Sequence, residues 1–206
     1  MLSDLGSLYL TCINSPYYNK FLPAVFEEII EKYHLRYNKE NEHCEDYGLW
    51  IDISRVSNLM NIPEVLLKYR VHQKGYSKEH RDLGFSDAKK LHKKQIIAFG
   101  ISPTADELRL HSAFFSEKNE STNNFLVKTE SWFLKLHLSN MTAKIYNQQA
   151  LEKILYERWR TVCGMNAKYG PIVWMTYRTS PLFKLGGWKK YWDSSKILVK
   201  CLLRRK

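Results

Sequence analysis

Apolar positions recur at helical spacing along most of this chain. Residues 21–35, FLPAVFEEIIEKYHL, bring Val25, Phe26, Ile29, Ile30 and Tyr33 to one side. Steps of three and four residues predict an amphipathic helix there, and residues 45–57 predict a second. The pattern then changes. NLMNIPEVLLKYRVH, residues 58–72, concentrates Leu, Val and Tyr around the interruption at Pro63. It predicts a short strand, a turn and a second strand over about 65–71. Helical spacing returns at Phe85. Ser86 is a candidate cap for a helix ending at Gly100. Ser102-Pro103 suits another first turn, and Thr104 with Glu107 has the capping-box spacing. TESWFLKLHL, residues 129–138, predicts a further helix. NQQALEKILYERWRTVCG, residues 147–164, predicts the longest, with Leu151, Ile154, Leu155, Trp159 and Val162 in one stripe and Glu152, Lys153, Arg158 and Arg160 elsewhere. Residues 194–206 predict a short basic amphipathic helix.

The predicted fold class is α+β and predominantly helical. A mixed part covers residues 1–82 and a helical extension covers 83–206. Two strands alone are marginal in water. They must therefore add to a larger sheet or lie under the helices.

Charge changes the picture of the C-terminal part. The 206 residues carry 32 Lys/Arg and 21 Asp/Glu, a net charge of +11. Residues 151–206 hold 13 of the basic residues and 3 of the acids, so nearly all of the excess sits there. Such a block calls for phosphate, anionic lipid or an acidic partner. In residues 184–206 the bases are interleaved with Trp188, Tyr191, Trp192, Ile197, Leu198, Leu202 and Leu203. This composition fits an interfacial segment in which Trp188, Lys189, Lys190, Trp192, Arg204 and Arg205 meet a membrane surface. It also fits a solvated basic face packed on a helical core. A basic block with aromatics can bind nucleic acid too, but no helix-turn-helix, RNA-recognition or zinc-finger pattern is readable.

Cys12, Cys44, Cys163 and Cys201 form no CxxC pair. They read as reduced thiols of a cytoplasmic protein and do not suit zinc. The N-terminal stretch MLSDLGSLYL has no basic n-region, and no apolar run reaches 18 residues. The expected location is the cytoplasm, with peripheral contact at the inner face of the plasma membrane.

The chemistry centres on NEHCEDYGLWIDI, residues 41–53. Glu45 and Asp46 open a helix whose same face carries Leu49, Trp50 and Ile53. Acids are favoured in the first turn of any helix, so the dipeptide alone is most economically a helix start. An acid beside a buried face also suits a general base that takes a proton from a hydroxyl.

The longer stretch EDYGLWIDISRVSNLMNIPEVLLKYRVHQKGYS, residues 45–77, resembles the C-terminal part of the catalytic domain of family 2 glycosyltransferases of the GT-A fold. Glu45-Asp46, Leu49-Trp50, Ile62-Pro63-Glu64, Tyr69-Arg70, His72 and Ser77 occur in that family's order. SPYYNKFLPAVFEEIIEKYHLRYN, residues 15–38, is similar more loosely. The helices beyond resemble a variable extension of bacterial members. The resemblance implies the C-terminal half of a GT-A domain, transferring a sugar from a nucleotide-sugar donor to a glycan or lipid-linked acceptor in surface polysaccharide synthesis. It implies that Asp46 is the base, with Glu45 the alternative. It implies that His72 lies near the donor diphosphate and its Mg²⁺ or Mn²⁺ ion, with Arg70 structural or supporting. Trp50 is expected in the core.

The chain departs from that family in one respect. No Asp-x-Asp occurs in the 206 residues, and no strand–helix alternation precedes residue 15. The expectation is a truncated enzyme, lacking the donor-binding half and its metal site and inactive alone.

Overall fold

The computed structural model describes residues 22–57, 81–113 and 123–203. Eight α-helices account for most of them: α1 Leu22–Lys32, α2 Glu45–Val56, α3 Arg81–Ala98, α4 Ala105–Ala113, α5 Asn123–Ala143, α6 Gln148–Met165, α7 Pro171–Thr179 and α8 Lys189–Leu203. Short 3₁₀ helices lie at Lys39–Asn41, Ala167–Tyr169 and Pro181–Gly186. No strand occurs among the described residues. This overturns the α+β expectation, and with it the reading of residues 1–82 as half of a GT-A α/β domain with short strands. The physical reason is plain in α1 and α2, whose apolar spacing is helical and leaves no alternating segment to build a sheet. The strands expected within 58–72 lie outside the described residues.

The chain divides into two units, residues 1–91 and 92–206. In the first, α1 ends in a Schellman turn. His34 adopts φ 53, its N–H reaches the Glu31 carbonyl, and the Leu35 N–H bonds the Ile30 carbonyl at 2.9 Å. Asn38 then caps the first 3₁₀ helix by accepting from the Glu40 N–H at 2.9 Å. A small apolar cluster joins Cys44 and Ile51 to Leu91, with Tyr47 and Ala88 packed on it. Gly48 permits this approach. A Cβ there would stand 3.3 Å from Asn41 Nδ2 and 3.7 Å from a Leu91 methyl. Trp50, expected in the core, is half-buried, its ring 5.9 Å from the Phe26 ring of α1.

The second unit holds the main core. Trp132, Trp159, Tyr177, Leu182, Val173, Cys163 and Cys201 are almost wholly buried within it. α5 and α6 form a hairpin across residues 144–147. The buried Asn140 side chain fastens the turn, donating to the Tyr146 carbonyl (2.9 Å) and Gln148 Oε1 (2.8 Å) and accepting from the Tyr146 N–H (3.0 Å). Asn147 caps α6 through the Ala150 N–H at 3.0 Å. The Thr104–Glu107 capping box is formed in both directions, at 2.8 and 3.2 Å.

α6 lies between α5 and the 3₁₀ helix Pro181–Gly186. Its buried arc is therefore wider than one stripe. Tyr156 and Cys163 join Leu155, Trp159 and Val162 inside, while Ile154 turns outward. Tyr156 also anchors a buried polar chain. Its hydroxyl is 3.0 Å from the Tyr177 hydroxyl and donates to Asp193 Oδ2 at 2.8 Å, with Arg160 Nε 3.8 Å from the same carboxylate. Burial and these two partners push the Tyr156 phenol well up, and burial pushes Tyr177 up to about 12. Both hydroxyls stay protonated and hold α6, α7 and α8 together.

Candidate functional site

The start of α2 is where charged side chains of the first unit meet. Cys44 occupies the N-cap and makes no side-chain cap bond, so the first turn relies on its own acids. Glu45 and Asp46 are both half-buried. Asp46 Oδ1 accepts from the Tyr47 backbone N–H at 2.6 Å. That bond fixes the carboxylate beside its own helix terminus. Leu49 and Ile53, on the same face, are among the best-buried residues of this unit.

The sequence reading missed two members of this cluster. Asp87 and Lys90, one helical turn apart on α3, lie against the α2 terminus. Lys90 Nζ is 2.7 Å from Asp87 Oδ1, and the His43 N–H reaches Asp87 Oδ2 at 3.5 Å. The lysine contact, reinforced by the His43 N–H, holds the Asp87 carboxyl below the usual carboxylate range, while Asp87 raises Lys90. Their i,i+3 spacing in SDAKK was a readable sign of an ion pair, but not of its place. Around Cys44 the acids add up: burial first, then Asp87, Asp46 and Glu45, push its thiol up to about 12. This cysteine is therefore a protonated core group and not a nucleophile.

Asp87 is thus paired with Lys90, while Asp46 and Glu45 are half-buried acids in the first turn of α2. The set does not fit a divalent cation. Both Asp87 oxygens are committed to nitrogen donors, and no three metal-ligating side chains converge among the described residues. A carboxylate oriented by one backbone bond at a helix start has the chemistry of a proton acceptor.

His72 and Arg70, assigned by resemblance to the donor side, lie outside the described residues, as do Arg204 and Arg205. In the second unit, Trp188 is 84% exposed, Trp192 and Lys189 are exposed and Lys190 is half-buried. Ile197, grouped with them by sequence, instead points into the core.

No family model matches the chain, and no solved structure does. Among curated proteins, an uncharacterized glycosyltransferase from Haemophilus influenzae is 34% identical over 71 residues, covering 34% of this chain. The chain spans 22% of that relative's length. This partial similarity supports a glycosyltransferase, without detail of donor, acceptor or pathway.

Proposed function

We propose that the chain carries the acceptor-side base of a glycosyltransferase of family 2 type. It moves a sugar from a nucleotide-sugar to a glycan or lipid-linked acceptor in surface polysaccharide synthesis. The observation that carries the reading is Asp46: half-buried in the first turn of α2, pinned through Oδ1, and followed by NIPEVLLKYRVH. In this reading the Asp46 carboxylate takes the proton of the acceptor hydroxyl. The oxygen attacks the anomeric carbon as the bond to the nucleoside diphosphate breaks, and the departing diphosphate carries off the electron pair. The Tyr47 N–H sets the carboxylate's orientation. Asp87–Lys90 keeps the surrounding acids from repelling it as one block. Arg70 and His72 remain the candidates for the donor side by motif alone.

The test is transfer of labelled sugar from a panel of nucleotide-sugars to envelope acceptors, with the chain joined to a donor-binding half. Label moves to a glycan or lipid acceptor if the reading holds. Release of free sugar alone, with no acceptor product, would count against it.

A further inference from the structure

We propose that α8 lays the second unit flat on an anionic lipid bilayer through its outward face. The helix has two apolar sides. Asp193, Ser194, Ile197 and Cys201 face the core. On the other side Tyr191, Trp192, Val199, Leu202 and Leu203 are 53–63% exposed. Trp192, Val199 and Leu203 are spaced by seven and four residues, so they lie along one helix face. The solvent side of a surface helix normally carries mainly polar groups, whereas here these five large apolar side chains stand exposed beside Ser195 and the lysines.

The charge pattern says what covers it. Lys189, Lys196 and Lys200 run along the border of that face at helical spacing. Lys196 stands 5.1 Å over the Trp192 ring, and Lys190 lies 5.4 Å from the rings of Phe183 and Tyr191. Residues 178–206 contain nine basic residues and a single acid, Asp193. That acid is buried and bonded to Tyr156. The outer surface is thus apolar at the centre and positive at the rim.

A second copy would set one positive rim against another. A nucleic acid would use the aromatics and lysines but give Val199, Leu202 and Leu203 nothing to contact. An anionic leaflet uses all three classes. The aliphatic side chains enter the acyl boundary, Trp and Tyr take the interfacial level, and the lysines meet headgroup phosphates. No helix among the described residues is long and apolar enough to cross a membrane, so the contact is in the plane of the surface.

Co-sedimentation of the full chain with vesicles tests this. The chain pellets with vesicles of phosphatidylcholine mixed with phosphatidylglycerol, and much less with phosphatidylcholine alone. Each of K189Q and K196Q lowers partitioning about fivefold. The triple variant V199S/L202S/L203S lowers it about tenfold or more. Circular dichroism checks that variants remain helical, and W192S alone serves if the triple does not fold. Vesicle binding unchanged in the aliphatic variant overturns the proposal. So does tight binding of single-stranded RNA that survives that variant and displaces the vesicles. So does dimerisation through this face with no vesicle binding.

Discussion

His92 is buried and His111 partly so, and their rings meet edge-on at 5.3 Å. The Trp132 indole N–H reaches His111 Nδ1 at 3.3 Å, which requires that nitrogen to be an acceptor. Burial pushes His92 down to about 4. Burial, and then the neighbouring His92, push His111 down to about 3. Both folded values lie below the ordinary 6.5, so the unfolded chain takes up these protons first as pH falls. The stability they allow is complete above about 6.5 and is lost as pH falls toward 4 and 3, at up to about 1.4 kcal/mol per pH unit for each ring. Urea unfolding at pH 7.5 and near pH 5 should show the loss, roughly half of it absent in His111→Gln, whose amide oxygen can still accept from Trp132. An identical midpoint at the two pH values would contradict this account. Neither histidine stood out in the sequence, because the pair forms only when α3 and α4 meet. Asp87 and Lys90 escaped notice for the same reason, since their partner at the α2 terminus is more than forty residues away.

At the scale of elements, the turns decide the fold of the second unit. Asn140→Ala removes three hydrogen bonds at once and strands the Tyr146 N–H, so it should cost about 2–4 kcal/mol. A melting temperature lowered by several degrees would register this, at roughly 2–4 °C per kcal/mol for a chain of this size. Gly186→Ala should cost about 1–3 kcal/mol, because the new Cβ would overlap the Tyr156 ring, which Tyr177 and Asp193 hold in place. A neutral effect of either change would mean that these contacts are not made. The same elements show what was legible beforehand. The α6 stripe was read correctly at Leu155, Trp159 and Val162, because apolar spacing reports a helix face directly. Ile154 was misplaced, and Tyr156 and Cys163 were missed, because a helix packed on two sides buries an arc that one stripe does not describe. α7, Pro171–Thr179, was not among the predicted helices. Gly170, at φ 89, is its cap, and Pro171 is its first helical residue. α3 is already helical at Arg81 and α5 at Asn123, ahead of the expected starts at Ser86 and Thr129.

At the scale of the molecule, the described residues are two helical units with different chemistry. The first gathers acids at the α2 start, and the second turns a basic aromatic helix outward. The α+β class is corrected because the described residues are helical with no strand among them, as their apolar spacing requires. The placement of Asp46 was legible, since acids are favoured in the first turn of a helix and helical apolar spacing follows directly. Its role is not written in the spacing. The most direct measurement is kcat of Asp46→Asn against wild type and Glu45→Gln, with the chain joined to a donor-binding half and KM for the acceptor recorded alongside. The account predicts that Asp46→Asn lowers kcat about 10²–10⁴-fold with KM little changed, while Glu45→Gln stays within about tenfold. Transfer undiminished in Asp46→Asn would contradict it.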